Sequence, residues 1–268
     1  MTSKNQRIND HIRVYRLARE LGSLRQQWLG ILGSQPTPLW KPDTDVERLV
    51  SNKLTRLHID GKTPEALYQV CRQITAGGYL VGSALDWKKP MLGNGTAVAE
   101  TRGAQWRLTV AWAGLETLIV PTIGGLKCKH LQHLSSLTMP SEEVVPLRAP
   151  SGSMVRLREA REWPQTGNKP AMLEYIGAGG GFAAEMLKRW LYEGKPLEHA
   201  HEQLGLAQAL RHATAHGALS STGLVGWGIR TALTPLTALV AQYTVGIFRE
   251  LTADAPTRRS RSSYKSHK

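Results

Sequence analysis

Arg211, His212 and His216 are the residues of this chain whose types and spacing could do chemistry. They lie in the run Leu210-Arg-His-Ala-Thr-Ala-His-Gly217. The chemistry that suits them is cleavage of RNA without a metal, by attack of a 2′-OH on the adjacent phosphate. A base must take the 2′-OH proton, an acid must protonate the departing 5′-oxygen, and positive charge must steady the developing phosphorane. Imidazole exchanges protons near neutral pH. A guanidinium is permanently charged, and its fork matches phosphate oxygens. The alternative is plainer: Arg and His near a helix C-terminus complement the helix dipole and need no function.

Helical geometry sets a condition on such a site. Residues five apart lie about 140° apart around a helix of 3.6 residues per turn. Arg211 and His216 therefore do not share a narrow stripe, whereas His212 and His216, four apart, do. One helix gives a poor pocket, and two copies facing each other across a symmetric interface would give a composite one.

The elements that must position these residues read as helices. Residues 5–33 carry Ile8, Ile12, Tyr15, Leu17, Leu21 and Leu24 at helical spacing, and 43–58 carry Val46, Leu49, Leu54 and Leu57. A helix is expected over 64–85, opened by Thr63 and Pro64, with Gly77-Gly78 as a break or kink. A polar loop over 88–102 precedes a helix over 104–120 that is apolar nearly all round, the pattern of a buried helix. Residues 182–192 and a segment ending at His216 are also helical, with Gly217 in the C-cap place. The last helix spans 231–251, with Pro235 in its first turn.

Between 121 and 170 the periodicity dissolves among prolines, glycines and charges, which predicts a long loop or insertion. Short strands are expected at 144–147 and 154–157. Gly177 to Gly181 is glycine-rich but lacks a following Lys-Ser/Thr and the G-x-G-x-x-G spacing, so a helix connection is expected there and not a phosphate loop. Trp87, Trp106, Trp112, Trp190 and Trp227 stand in apolar stretches and are expected in the core.

The Arg211–Gly217 run resembles the signature of the HEPN superfamily: an Arg, a polar residue, small or apolar residues, then His inside a helical bundle. Here it is Arg-x4-His, with polar His212 after Arg211 and small Ala213, Ala215 and Gly217. The order of helices from 64 to 252 resembles that bundle too. The resemblance implies an all-α, HEPN-like helical bundle over 63–254, with an N-terminal helical extension over 1–62. It implies a metal-independent endoribonuclease acting as a homodimer without cofactor, in prokaryotic defence or toxin–antitoxin regulation. Arg211 would hold the scissile phosphate, His216 would act as acid or base, and His212 would orient. An antitoxin or a nucleoprotein complex would be a fitting partner. The competing expectation is a non-catalytic basic protein that binds RNA or a partner, using the motif for structure or dimerisation.

The 268 residues carry a net charge of +13, which favours an anionic partner such as RNA. Five of those charges lie in a basic tail over 255–268, expected to be disordered and to hold RNA through Arg258, Arg259, Arg261 and Lys265. Eight remain on the rest of the chain. The two cysteines make no disulfide framework. The N-terminus lacks the apolar core of a signal peptide, and no uninterrupted apolar run approaches a membrane span, so a cytoplasmic protein without membrane contact is expected.

A metal site is not expected. Ala213 stands where a zinc protease helix needs Glu, and Cys128, His130 and His133 lack a fourth neighbouring ligand. His199 and His201 could add ligands only from the far end of the same segment. Asp86, Glu116, Glu198 and Glu202 form no pair whose spacing demands acid–base work.

Overall fold

The computed structural model describes residues 4–33, 36, 43–57, 67–86, 96–123, 125–138, 144–150, 154–166, 169–177 and 180–253. The protein is all-α. Its helices are α1 (Lys4–Leu32), α2 (Thr44–Leu57), α3 (Leu67–Asp86), α4 (Ala97–Ile123), α5 (Cys128–Thr138) and α6 (Val155–Arg161), followed by α7 (Ala171–Tyr175), α8 (Phe182–Leu187), α9 (Ala200–Ala215), α10 (Ser221–Gly226) and α11 (Arg230–Thr252). A π-helical turn, Lys188–Tyr192, continues α8. The only extended pairing in a ladder among the described residues is a two-residue hairpin, Gln165–Thr166 against Lys169–Pro170.

Local chemistry starts several helices. Asp43 Oδ1 accepts from the Val46 N–H at 2.8 Å ahead of α2, and Thr96 Oγ1 accepts from Ala99 N–H at 3.2 Å ahead of α4. Apolar faces then bury. α11 is covered along nearly its whole length and packs against α1, α4, α5 and α9. Trp28, Trp112, Trp190, Tyr243 and Phe248 are fully buried, and large apolar side chains of this kind contribute about 1.5–3 kcal/mol each. By length and composition α11 could also cross a membrane, but 83% of its apolar window is buried inside the fold.

α3 and α4 pack at unusually close range. A Cβ on Gly77 would fall 2.5 Å from the Gly114 carbonyl oxygen, and one on Gly114 would fall 2.7 Å from that of Gly77. Of the glycine pair expected to break or kink α3, Gly77 instead lets two helix backbones approach, and Gly78 makes room for the Phe248 ring.

The structure corrects the sequence reading in several places. The segment 121–170 is not one irregular insertion, because α4 runs on to Ile123 and α5 and α6 lie within it. Leu131 and Leu134 of α5 are fully buried, so tertiary packing supports a helix that the flanking prolines obscured. The strand expected at 154–157 is the start of α6. That expected at 144–147 is no strand, and only Leu147 pairs, with Leu197. The polar loop at 88–102 yields its last residues to α4. Pro235 lies in the second turn of α11. Trp106 is 45% exposed and not in the core, whereas Trp112, Trp190 and Trp227 are buried as expected. Trp87 and the tail residues Arg258, Arg259, Arg261 and Lys265 lie outside the described residues.

Candidate functional site

Arg211, His212 and His216 occupy the C-terminal end of α9, where the helix dipole is negative and cationic groups are favoured. The helix stops through a glycine cap. Gly217 has φ 71°, a conformation a side chain disfavours, and its N–H donates to the Thr214 carbonyl at 3.0 Å. Leu219 N–H reaches back to the Ala213 carbonyl at 3.1 Å.

Gln105 of α4 fastens this end in place. Its buried amide nitrogen donates to the Leu219 carbonyl at 2.7 Å and to Thr214 Oγ1 at 2.9 Å. Its amide oxygen accepts from Ser221 Oγ at 3.1 Å. One side chain thus ties α4, the last turn of α9 and the start of α10 together. Ser220 completes the join by accepting the Gly223 N–H at 3.0 Å as the α10 cap.

The three site residues diverge as helical spacing requires. Arg211 faces α4, where its guanidinium lies 3.3 Å from Glu116 Oε2, and its Nε is buried without a hydrogen-bond partner. His212 and His216 face each other, with ring centroids 4.3 Å apart and planes at 52°. The His216 N–H donates to the His212 carbonyl at 3.1 Å, so the one-turn spacing survives although His216 is the cap residue. His216 is exposed, and Arg211 and His212 are partly so. Among the described residues no group hydrogen-bonds either imidazole, so both rings are open to hydrogen-bond a ligand.

The other end of α9 holds a second set of similar residues. Arg189, on the π turn, pairs with buried Glu202. Glu202 Oε2 also accepts from the Glu198 and His199 N–H groups at 3.0 and 3.1 Å, closing the helix start. Burial pushes this carboxyl up. The His199 N–H, the charge of Arg189 and the Glu198 N–H more than offset it and hold the group below the usual carboxylate range. His199 and His201 stack at 5.6 Å, and His201 stacks on Phe182 at 6.0 Å. Burial, the largest influence, holds His201 below the usual histidine range, with Glu202 opposing and His199 assisting.

Sequence reasoning missed Gln105 entirely and gave Glu116 no role. Both act across more than ninety residues of chain, so local spacing carries no sign of them. No group of three His, Cys, Asp or Glu among the described residues could hold a metal ion. Cys71 and Cys128 are free, and burial pushes the Cys71 thiol up to about 12, which leaves it unreactive near neutral pH. Compared with protein-family models, curated proteins and solved structures, this chain matches none of them.

Proposed function

We propose that this protein is a metal-independent endoribonuclease of the HEPN type. The observation that carries the reading is the opposed His212–His216 pair, 4.3 Å apart, on a solvent-facing helix end that also bears Arg211. His216, the more open of the two, acts as the acid or base at the scissile phosphate, and His212 orients it. Arg211 meets phosphate oxygens by exchanging its contact with Glu116, a half-open pair that costs little to break. Because Arg211 and the histidines point to different sides of α9, a second copy of the chain completes the site, and the working form is a homodimer. The net charge of +13 holds the RNA backbone, so affinity falls steeply with salt.

A second reading has one observation in its favour. Arg211 is already partnered by Glu116, as a purely structural arginine would be. Under it the protein binds RNA or a protein partner and cuts nothing.

The two readings part on the chemistry of the 2′-OH. The nuclease reading expects a short single-stranded RNA to be cut in EDTA, leaving 2′,3′-cyclic phosphate ends. The same oligonucleotide made wholly of 2′-deoxy residues is expected to stay intact. Cutting of the deoxy strand, or a requirement for added divalent metal, would overturn it.

A further inference from the structure

We propose that Trp163, Tyr175 and Trp227 form a stacking platform for an unpaired base of single-stranded RNA, beside the histidine end of α9. The rings come from three separate segments, after α6, at the end of α7 and after α10. Trp163 lies 5.4 Å from Tyr175 and 6.1 Å from Trp227 by ring centroids, edge to face in both cases, and Tyr175 lies 6.1 Å from Trp227. A cluster made only for the core would be closed. Here Trp227 is the 7%-exposed floor, while Trp163 keeps 38% and Tyr175 63% of its surface in solvent. Exposed aromatic rings of this kind take nucleobases by stacking, whatever the base.

Position ties the platform to the candidate site. A Cβ on Gly177 would touch Ala218 at 3.4 Å, so the chain two residues past Tyr175 abuts the chain two residues past His216. Arg156 lies along Gly226, next to Trp227, close enough that a Cβ there would sit 2.9 Å from the arginine stem. That places a cation at the cluster edge for a neighbouring phosphate. The exposed acids Glu162 and Glu174 flank the two open rings in sequence. Acids next in sequence to the open rings and a cation beside Gly226 suit a base, whose edge carries donors and acceptors, better than a row of phosphates.

This inference rests on the RNA reading of the site, but its test does not depend on cleavage. The probe is a 5′-labelled eight-nucleotide oligouridylate in EDTA, with inorganic polyphosphate as a polyanion that has no bases. Both are titrated into the full chain carrying His216→Ala, so that nothing is cut. Trp163→Leu and Tyr175→Leu are each expected to weaken oligouridylate binding about tenfold. Polyphosphate binding stays unchanged, and Tyr175→Phe restores the affinity for the oligonucleotide. Equal loss of both ligands would overturn the platform in favour of plain charge attraction. Unchanged oligouridylate binding would overturn it too. If that result came with a dimer-to-monomer shift on size-exclusion, it would assign the rings to a subunit contact. Tight, ring-dependent binding by a wild type that cuts no RNA would leave the platform standing and remove only the nuclease reading.

Discussion

The two ends of α9 carry the same residue types, but their arginine–carboxylate pairs are in opposite states. At the start, Glu202 takes Arg189 and two backbone N–H groups, and its side chain is 8% exposed. At the finish, Glu116 holds Arg211 more loosely at 3.3 Å, with 34% of its side chain in solvent, and the two histidines beyond have open rings. Arginine, carboxylate and histidine together are therefore no sign of function by themselves. What separates the two arginine–carboxylate pairs is how far their hydrogen-bonding capacity is already used. In the first set Glu202 and Arg189 are consumed in starting a helix, while the His199 ring stays exposed. The second is fastened from behind by Gln105 and left open in front.

That contrast can be broken by mutation, and the largest effect falls at the open end. Arg211→Ala and His216→Ala are each expected to lower RNA cleavage about a hundredfold to ten-thousandfold, with thermal unfolding close to wild type. Cleavage rates beside melting curves check this, and wild-type rates would erase the distinction between the two ends. Next comes the closed end. Glu202→Gln is expected to cost about 2 kcal/mol of stability, because a buried charge-assisted cap is lost, while cleavage per folded molecule persists. Denaturant titration measures it. Gln105→Leu is expected to cost about 1–2 kcal/mol by stranding the Leu219 carbonyl and Ser221. It should also lower cleavage, since the last turn of α9 is then no longer held.

Smaller effects sharpen the picture. Glu116→Gln should change stability by at most about 0.5 kcal/mol, as expected of a half-exposed ion pair. It should tighten RNA binding at low salt by releasing Arg211, which a filter-binding titration would register. The smallest effect is a pH dependence. His201 is held below the usual histidine range chiefly by burial, so the unfolded chain binds that proton more readily than the folded one. Its contribution is fully present above the ordinary value near 6.5 and is lost as pH falls through that value toward the depressed one. Melting temperatures from pH 8 to pH 5 should therefore fall less steeply in His201→Asn than in wild type.

Much of this architecture was legible from residue spacing. α1, α2, α3 and α11 follow the apolar periodicity within a few residues, and Gly217 adopts the left-handed cap its position predicted. What spacing could not show was contact over distance. Gln105 to Leu219 and Glu116 to Arg211 join segments that only the packed bundle brings together. α5 had a readable signal, with Leu131 and Leu134 three apart, but the surrounding Pro and Gly outweighed it. The aromatic trio was illegible for the same reason as Gln105. Trp163, Tyr175 and Trp227 belong to different segments, and Trp227 alone looked like an ordinary core residue.

The central claim is that the open end of α9 cuts RNA. Its most direct test is incubation of the full chain and its His216→Ala variant with labelled single-stranded RNA in EDTA. The account predicts cleavage by wild type alone, with 2′,3′-cyclic phosphate ends. Equal cleavage by both proteins, or none by a wild type that binds the RNA tightly, would contradict it.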